Sequence, residues 1–203
     1  MPDEIIHYLL RHGDTVANDA NVFRSMLDPD LNDKGVLQAN QAAEFLKKKE
    51  IQRIICSPLL RAFHTAEIIS GMIGGRCIEQ CRCLFPWQIP SLMGKDRDDH
   101  KNVLDYLIEH PKVEPQYGES LDDFSDRVAD FFGSKLRSTV PTLFVTHTSN
   151  IVTLQGLIEQ KAPTPEAEEI VRPGGICEIR HDDGDGYTLK AVFGKSADPS
   201  PGS

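Results

Sequence analysis

Three short apolar runs limit the fold of this chain more than any other feature of the sequence. They are Ile5 to Leu10, broken only by His7 and Tyr8, then Ile54 to Cys56, then Leu143 to Val145. Runs this short and this continuously apolar suit strands covered on both faces. Helical patterns lie between and after them. Asn32 is placed to cap a helix running to about Lys49, with Val36, Leu37, Ala39, Ala43 and Leu46 as its apolar positions. Ser57 followed by Pro58 reads as a cap and first turn. Ser120 and Asp123 resemble a capping box for a helix through about Leu136. Further helices are expected at Asp98 to Glu109 and at Thr148 to Gln160. Two late segments, Ile176 to Arg180 and Tyr187 to Phe193, flank HDDGDG and read as a hairpin. Strands alternating with helices predict an α/β protein, a three-layer α/β/α sandwich around a mostly parallel sheet. The chain of 203 residues suits one domain over 1–194, with 195–203, KSADPSPGS, having the composition of a disordered tail. Residues 84–118 are the hardest to assign.

Ligands of an open parallel sheet bind beyond the carboxyl ends of its strands. The first run ends in Arg11-His12-Gly13. The second ends in Ser57-Pro58, with Arg61 one helical turn on, and the third in Thr146-His147-Thr148. Two histidines and two arginines are therefore expected at one mouth of the sheet. Guanidinium forks match phosphate oxygens in charge and shape. Helix starts after Ser57 and His147 would add backbone donors, and neutral imidazole is a competent nucleophile toward phosphorus. Taken singly, each residue has a blander reading, a local hydrogen bond for a histidine and a solvated helix position for Arg61. The convergence of three segments is what favours chemistry.

The same segments resemble the motifs of a known family. LLRHGDTVAN at 9–18 resembles the signature of the histidine phosphatase, or phosphoglycerate mutase-like, superfamily. LNDKGVLQA at 31–39, SPLLRAFHTA at 57–66, YGESLDDFSDRV at 117–128, VTHTSNI at 145–151 and RPGGI at 172–176 are similar to its later blocks, in the same order. The likeness spans roughly residues 4–193. It implies that His12 accepts a phosphoryl group, that Arg11, Arg61 and His147 hold its oxygens, and that Asn18 and Thr15 shape the pocket. It implies that Glu119 protonates the leaving oxygen and then activates water. Two departures stand out. Thr148 occupies a position usually held by glycine, which would be strained if that position needs a positive φ and harmless if only a backbone N–H is used. LFPWQIPSLMGK, with Pro90, only loosely echoes the family's substrate-facing stretch.

The resemblance implies net hydrolysis of a phosphate monoester or a phosphorylated protein side chain, without metal or other cofactor. A cofactor-dependent phosphoglycerate mutase and a non-catalytic binding protein are the alternatives. The first would need a bisphosphorylated primer and matches poorly at 82–95. The second has no reason to keep a nucleophile and a proton donor. Phe23-Arg24-Ser25 follows the first motif and is expected to overhang the pocket, with Arg24 a candidate for contacting the leaving group, or else a solvated loop arginine. Trp87 is either a lid residue or a core aromatic. The net charge of −9 argues against nucleic acid or an anionic membrane as partner. The acidic start of MPDEIIHYLL does not read as a signal peptide, so a cytoplasmic location is expected. Five cysteines, an odd number, argue against a disulfide framework. Cys77, Cys81 and Cys83 cluster, but without zinc-type spacing.

Overall fold

The computed structural model describes residues 5–161, 171–181 and 186–195. Six strands form one sheet: β1 (Ile6–Arg11), β2 (Arg53–Cys56), β3 (Ile78–Gln80), β4 (Thr142–Thr146), β5 (Val171–His181) and β6 (Tyr187–Lys195). Their order across the sheet is β3-β2-β4-β1-β5-β6. The pairings β2–β3, β2–β4 and β1–β4 are parallel, while β1–β5 and β5–β6 are antiparallel. The expected α/β sheet is thus mostly parallel, with an antiparallel edge made by the predicted hairpin strands. Residues 182–185 of the expected turn lie outside the described residues, as do 196–203 of the expected tail; Lys195 itself closes β6, paired with Val171.

Alternation along the strands explains the layering. Leu9, Ile55 and Phe144 face one side, where they pack with Phe124, Val128, Phe131 and Phe132 of α5 (Leu121–Lys135) and with Ile151 and Leu154 of α6 (Thr148–Glu159). Their neighbours Tyr8, Leu10, Ile54, Cys56, Leu143 and Val145 face the other side. There they meet Ala42, Ala43 and Leu46 of α2 (Asp33–Leu46) and Ala62, Ala66 and Ile69 of α3 (Leu60–Met72). Side chains alternate faces in a strand, so continuous apolar runs are what a sheet buried on both faces demands. A third, smaller cluster of Phe23, Ile89, Leu92 and Leu107 joins α4 (Lys101–Glu109) to the loops above the sheet.

Several local expectations meet the structure differently. Asn32 caps α2 by accepting from Gly35 N, but the helix stops at Leu46. Ser57 does not cap α3. That helix begins three residues later, and the Leu60 N–H is taken by the Asp28 carboxylate at 2.6 Å. Ser57 Oγ is turned instead toward His147. Asp96 Oδ1 accepts from the N–H groups of Asp98 and Asp99, and α4 starts only at Lys101. RPGGI forms a bulged stretch within β5. Gly174 there has φ +77° and its N–H reaches the His12 carbonyl at 3.3 Å, so this irregularity lets β5 run alongside the loop after β1. A short helix, α1 (Val16–Asp19), follows that loop.

Gly35, in the first turn of α2, lies so close to the loop after β1 that a Cβ there would run into the Asp14 carbonyl oxygen. Gly35→Ala is therefore expected to cost about 1–3 kcal/mol of stability by overpacking, in spite of alanine's better helix propensity. Urea unfolding measures the cost, and an unchanged midpoint would mean the two backbones are not in contact. Among the described residues no helix is long and apolar enough to cross a membrane.

Candidate active site

The three strand ends meet as the parallel ladder requires. His12 N donates to Thr146 O and Ser57 N to Val145 O, both at 3.0 Å, which carries the pairing one residue past the strands. His12 and His147 thereby come to lie side by side on adjacent strand ends. Their ring centroids are 5.1 Å apart with the planes at 61°. Both are buried, and both line a cleft enclosing about 680 Å³ with its open mouth included.

The tautomer of His12 follows from its partners. Nδ1 lies 2.7 Å from the Gly13 carbonyl, which only accepts, so Nδ1 carries the proton and Nε2 keeps its lone pair. Arg61 Nε–H donates to that Nε2 at 3.3 Å. Arg61 is itself 1% exposed, and its two terminal nitrogens donate to Leu27 O and Ser25 O at 2.5 and 3.1 Å. Burial, with some help from the charge of Arg24 and against that of Asp28, pulls its pKa down to about 10. It still carries its charge at neutral pH. His147 Nε2 lies 2.9 Å from Ser57 Oγ. If the hydroxyl donates there, Nδ1 bears the proton, and among the described residues that buried atom has no hydrogen-bond partner. An unsatisfied buried donor costs about 1–3 kcal/mol, so an acceptor placed beside it in the cleft is favoured.

Both imidazoles are held neutral. Burial pushes the pKa of His12 well below the usual value, and the charges of Arg61, Arg24 and Arg11 push it further, with only the Gly13 bond opposing. Burial is also the main cause for His147, followed by Arg61, His12, Arg24 and Arg11. A folded-state pKa below the unfolded value means that the unfolded chain binds more protons as pH falls under 6.5. Stability is thus complete above that pH and declines below it, toward the lowered folded values. The expected loss between pH 7.5 and 5.5 is about 1 kcal/mol for each of the two rings. Unfolding curves at the two pH values measure it; equal stability would mean the rings are accessible to protons.

The remaining expected residues are distributed unevenly. Arg24 lines the cleft, and its charge reaches both histidines and Arg61. Thr148 lines it as the first residue of α6 and is absent from the positive-φ positions, so threonine is unstrained there. No side chain caps α6, so its first N–H groups are available at the cleft. Arg11, at the end of β1, donates to Val171 O at 3.1 Å. Thr15 and Asn18 do not line the cleft. Their side chains bond each other at 2.9 Å, and Asn18 also donates to Asp14 Oδ1 at 2.5 Å, bracing the loop. Trp87 is packed on the core, as the second of its expected readings has it. It lines the cleft, while its ring stacks on Phe124 at 6.4 Å and its Nε1 donates to Glu119 O.

Glu119 is not among the residues that line the cleft, and its carbonyl accepts from Trp87 Nε1. Arg127 Nη2 donates to its Oε1 at 2.5 Å and Arg127 Nε to its Oε2 at 3.1 Å, while Gln88 N donates to Oε1 at 3.2 Å. Arg127 also donates to Cys83 O and Phe85 O. The pair clamps the segment after β3 onto α5. Sequence reasoning missed Arg127, although it lies eight residues beyond Glu119 in the same quoted block. Ser25 lies over the cleft as expected, but its bonds were not foreseen, and neither was Arg97. Ser25, at φ +41°, accepts from Ile89 N at 3.0 Å and donates to Trp87 O at 3.3 Å, closing one lip of the cleft on the other. Arg97 lines the cleft over the Phe23 ring, 5.1 Å from its centroid. Neither carries a local signal, because each contact spans more than sixty residues.

The five cysteines are free thiols. Among the described residues no group of three or more His, Cys, Asp and Glu side chains is placed to hold a metal ion.

The protein sets two strand-end histidines over a mostly parallel α/β sheet, with a buried arginine against the unprotonated nitrogen of His12. Its family is shown directly: residues 7–193 match the model of the histidine phosphatase superfamily, branch 1, and the chain belongs to that superfamily. It is 35% identical over 130 residues to a putative phosphoserine phosphatase 2 of Hydrogenobacter thermophilus, a match covering 61% of this chain and 63% of that protein. It is 29% identical over 177 residues to a 2,3-bisphosphoglycerate-dependent phosphoglycerate mutase of Beijerinckia indica, covering 79% and 86% of the two chains. Among solved structures, a phosphoserine phosphatase from Entamoeba histolytica superposes with a TM-score of 0.80 at 21% identity, over 94% of this chain and 97% of that one. A mycobacterial glucosyl-3-phosphoglycerate phosphatase gives 0.77 at 22%, over 94% and 99%. These two likenesses concern the fold.

Proposed function

We propose that this protein is a metal-independent phosphatase that hydrolyses phosphate monoesters through a phosphohistidine on His12. The reading is carried by one observation, the His12 Nε2 lone pair held beside His147 and the Arg61 guanidinium at the floor of a single cleft. Nε2 attacks phosphorus, and the Nδ1–H bond to Gly13 O holds the ring in the tautomer that this requires. The Arg61 fork, Arg24, the His147 Nδ1–H and the first N–H groups of α6 offer donors for the three phosphoryl oxygens. In a buried site such preset donors do the electrostatic work that a metal ion does elsewhere. Water then displaces the phosphoryl group from Nε2. Arg11 adds positive charge from behind the site. Thr15 and Asn18 serve by holding the loop that carries His12. A cytoplasmic location and the lack of a nucleic-acid or membrane partner belong to the same reading.

The experiment is turnover of phenyl phosphate in excess chelator, with and without a bisphosphorylated primer. The expected result is steady release of inorganic phosphate that needs neither metal nor primer. The mutase reading draws on the long match to the Beijerinckia enzyme. It predicts phosphoglycerate isomerisation that appears only with the primer, and that result would replace hydrolysis as the function.

A further inference from the structure

The phosphatase reading leaves open how the leaving oxygen gets a proton. The residue expected to supply it, Glu119, does not line the cleft, and both of its carboxylate oxygens accept hydrogen bonds from Arg127 and Gln88. The cleft's other ionisable groups suit the task no better. Its arginines are hydrogen-bond donors and not proton donors, His12 is the nucleophile, and His147 is held neutral. Among the described residues, no aspartate, glutamate, tyrosine or lysine lines it. A general acid is worth roughly 10²–10⁴ in rate where the leaving group is basic. An alkoxide, the conjugate base of a serine or sugar hydroxyl, is such a group. A phenolate is not, since its conjugate acid has a pKa near 10. The same cleft is lined by Phe23, Trp87, Ile89 and Leu92, an apolar and partly aromatic surface that suits a flat ring and wastes nothing on hydroxyl groups.

Building on the phosphatase reading, we infer that the substrate is an aryl phosphate, a phosphorylated phenol free or as a phosphotyrosyl side chain, whose ring lies on the Phe23 and Trp87 wall and whose oxygen departs without a proton from the enzyme. As the bond from His12 Nε2 to phosphorus forms, the phosphorus–oxygen bond to the ring breaks and the oxygen leaves as phenolate with the bonding pair. Water then attacks phosphorus, the nitrogen–phosphorus bond breaks back onto Nε2, and inorganic phosphate leaves. The proton lost by that water balances the one the phenolate takes up from solvent. Glu119 is then a positioning residue whose carboxylate acts through Arg127 and the Gln88 backbone N–H.

Phenyl phosphate and cyclohexyl phosphate separate the two requirements, because their rings are of similar size while their leaving oxygens differ widely in basicity. The expected kcat/KM for the phenyl ester is about 100-fold or more higher. Glu119→Gln is expected to lower both rates by one common factor, as loss of a brace does, and to leave the pH profile in place. O-Phosphotyrosine and a phosphotyrosyl peptide then distinguish a small metabolite from a protein side chain, and faster turnover of either supports the inference. Comparable rates on the two ring esters, with Glu119→Gln damaging only the cyclohexyl reaction, would overturn it while leaving the phosphatase reading intact. Turnover of no ester, with no phosphoryl group transferred to His12, would overturn both.

Discussion

Replacing His12 with alanine is expected to lower kcat/KM for phenyl phosphate by about 10⁴-fold or more, because the covalent route disappears and only the electrostatics of the cleft remain. The loss should fall on kcat. The donors that bind the phosphoryl group, Arg61, Arg24, His147 and the start of α6, are untouched, so the variant should still bind inorganic phosphate. Arg61 loses one acceptor at 3.3 Å but keeps the Leu27 and Ser25 carbonyls, so the fold should survive with a stability loss of about 1–2 kcal/mol. Steady-state kinetics together with phosphate titration checks both parts. Retained turnover by a variant that binds phosphate normally would mean that another group attacks phosphorus.

A second large effect is expected from Arg61→Gln. The substitution removes a charge set against the nucleophilic nitrogen, and kcat should fall about 10²- to 10³-fold, the usual loss when one preset transition-state donor is deleted. It should also move the pH profile. The acid limb of kcat/KM lies below pH 6.5 in the wild type, because the active imidazole is neutral and its pKa is lowered. Arg61 is the largest of the charges doing so at both histidines. Without it their basicity rises and the limb moves up in pH, toward 6.5. Arg24→Ala should move the limb the same way by less, since its charge ranks after that of Arg61 at both rings. A limb that stays in place in Arg61→Gln would mean that burial alone sets the histidines' basicity.

Much of this arrangement is legible in the sequence, and the reason is periodicity. Strands buried on both faces write themselves as apolar runs, and the residues just past each run are the ones the sheet delivers to its mouth. His12, Arg61 and His147 are found together for that reason, and Arg24 follows closely enough along the chain to overhang them. β3 is not visible in the same way. It has three residues, two of them exposed, and lies at the sheet edge where little burial is needed to hold a strand. Ser57 looks like a helix cap by composition, yet its hydroxyl is used by His147 and Asp28 supplies the cap from another loop. Tertiary contacts decide that choice, not local preference. Glu119 shows the same limit. The motif gives its place in the chain, while its role depends on where Arg127 projects from α5, and that depends on the packing of α5 against the sheet. The cleft wall of Phe23, Trp87, Ile89 and Leu92 comes from two irregular segments brought together by the Ser25 hydroxyl, and irregular segments carry no period to read.

The most direct test is rapid-quench trapping during turnover of phenyl phosphate, followed by peptide mass spectrometry. The account predicts a phosphoryl group on a ring nitrogen of His12, formed within the first turnover, labile to acid and stable to base, and absent from His12→Ala. Full first-turnover release of phenol and phosphate in step, with no phosphorylated histidine at any quench time, would contradict it and point to direct attack by water.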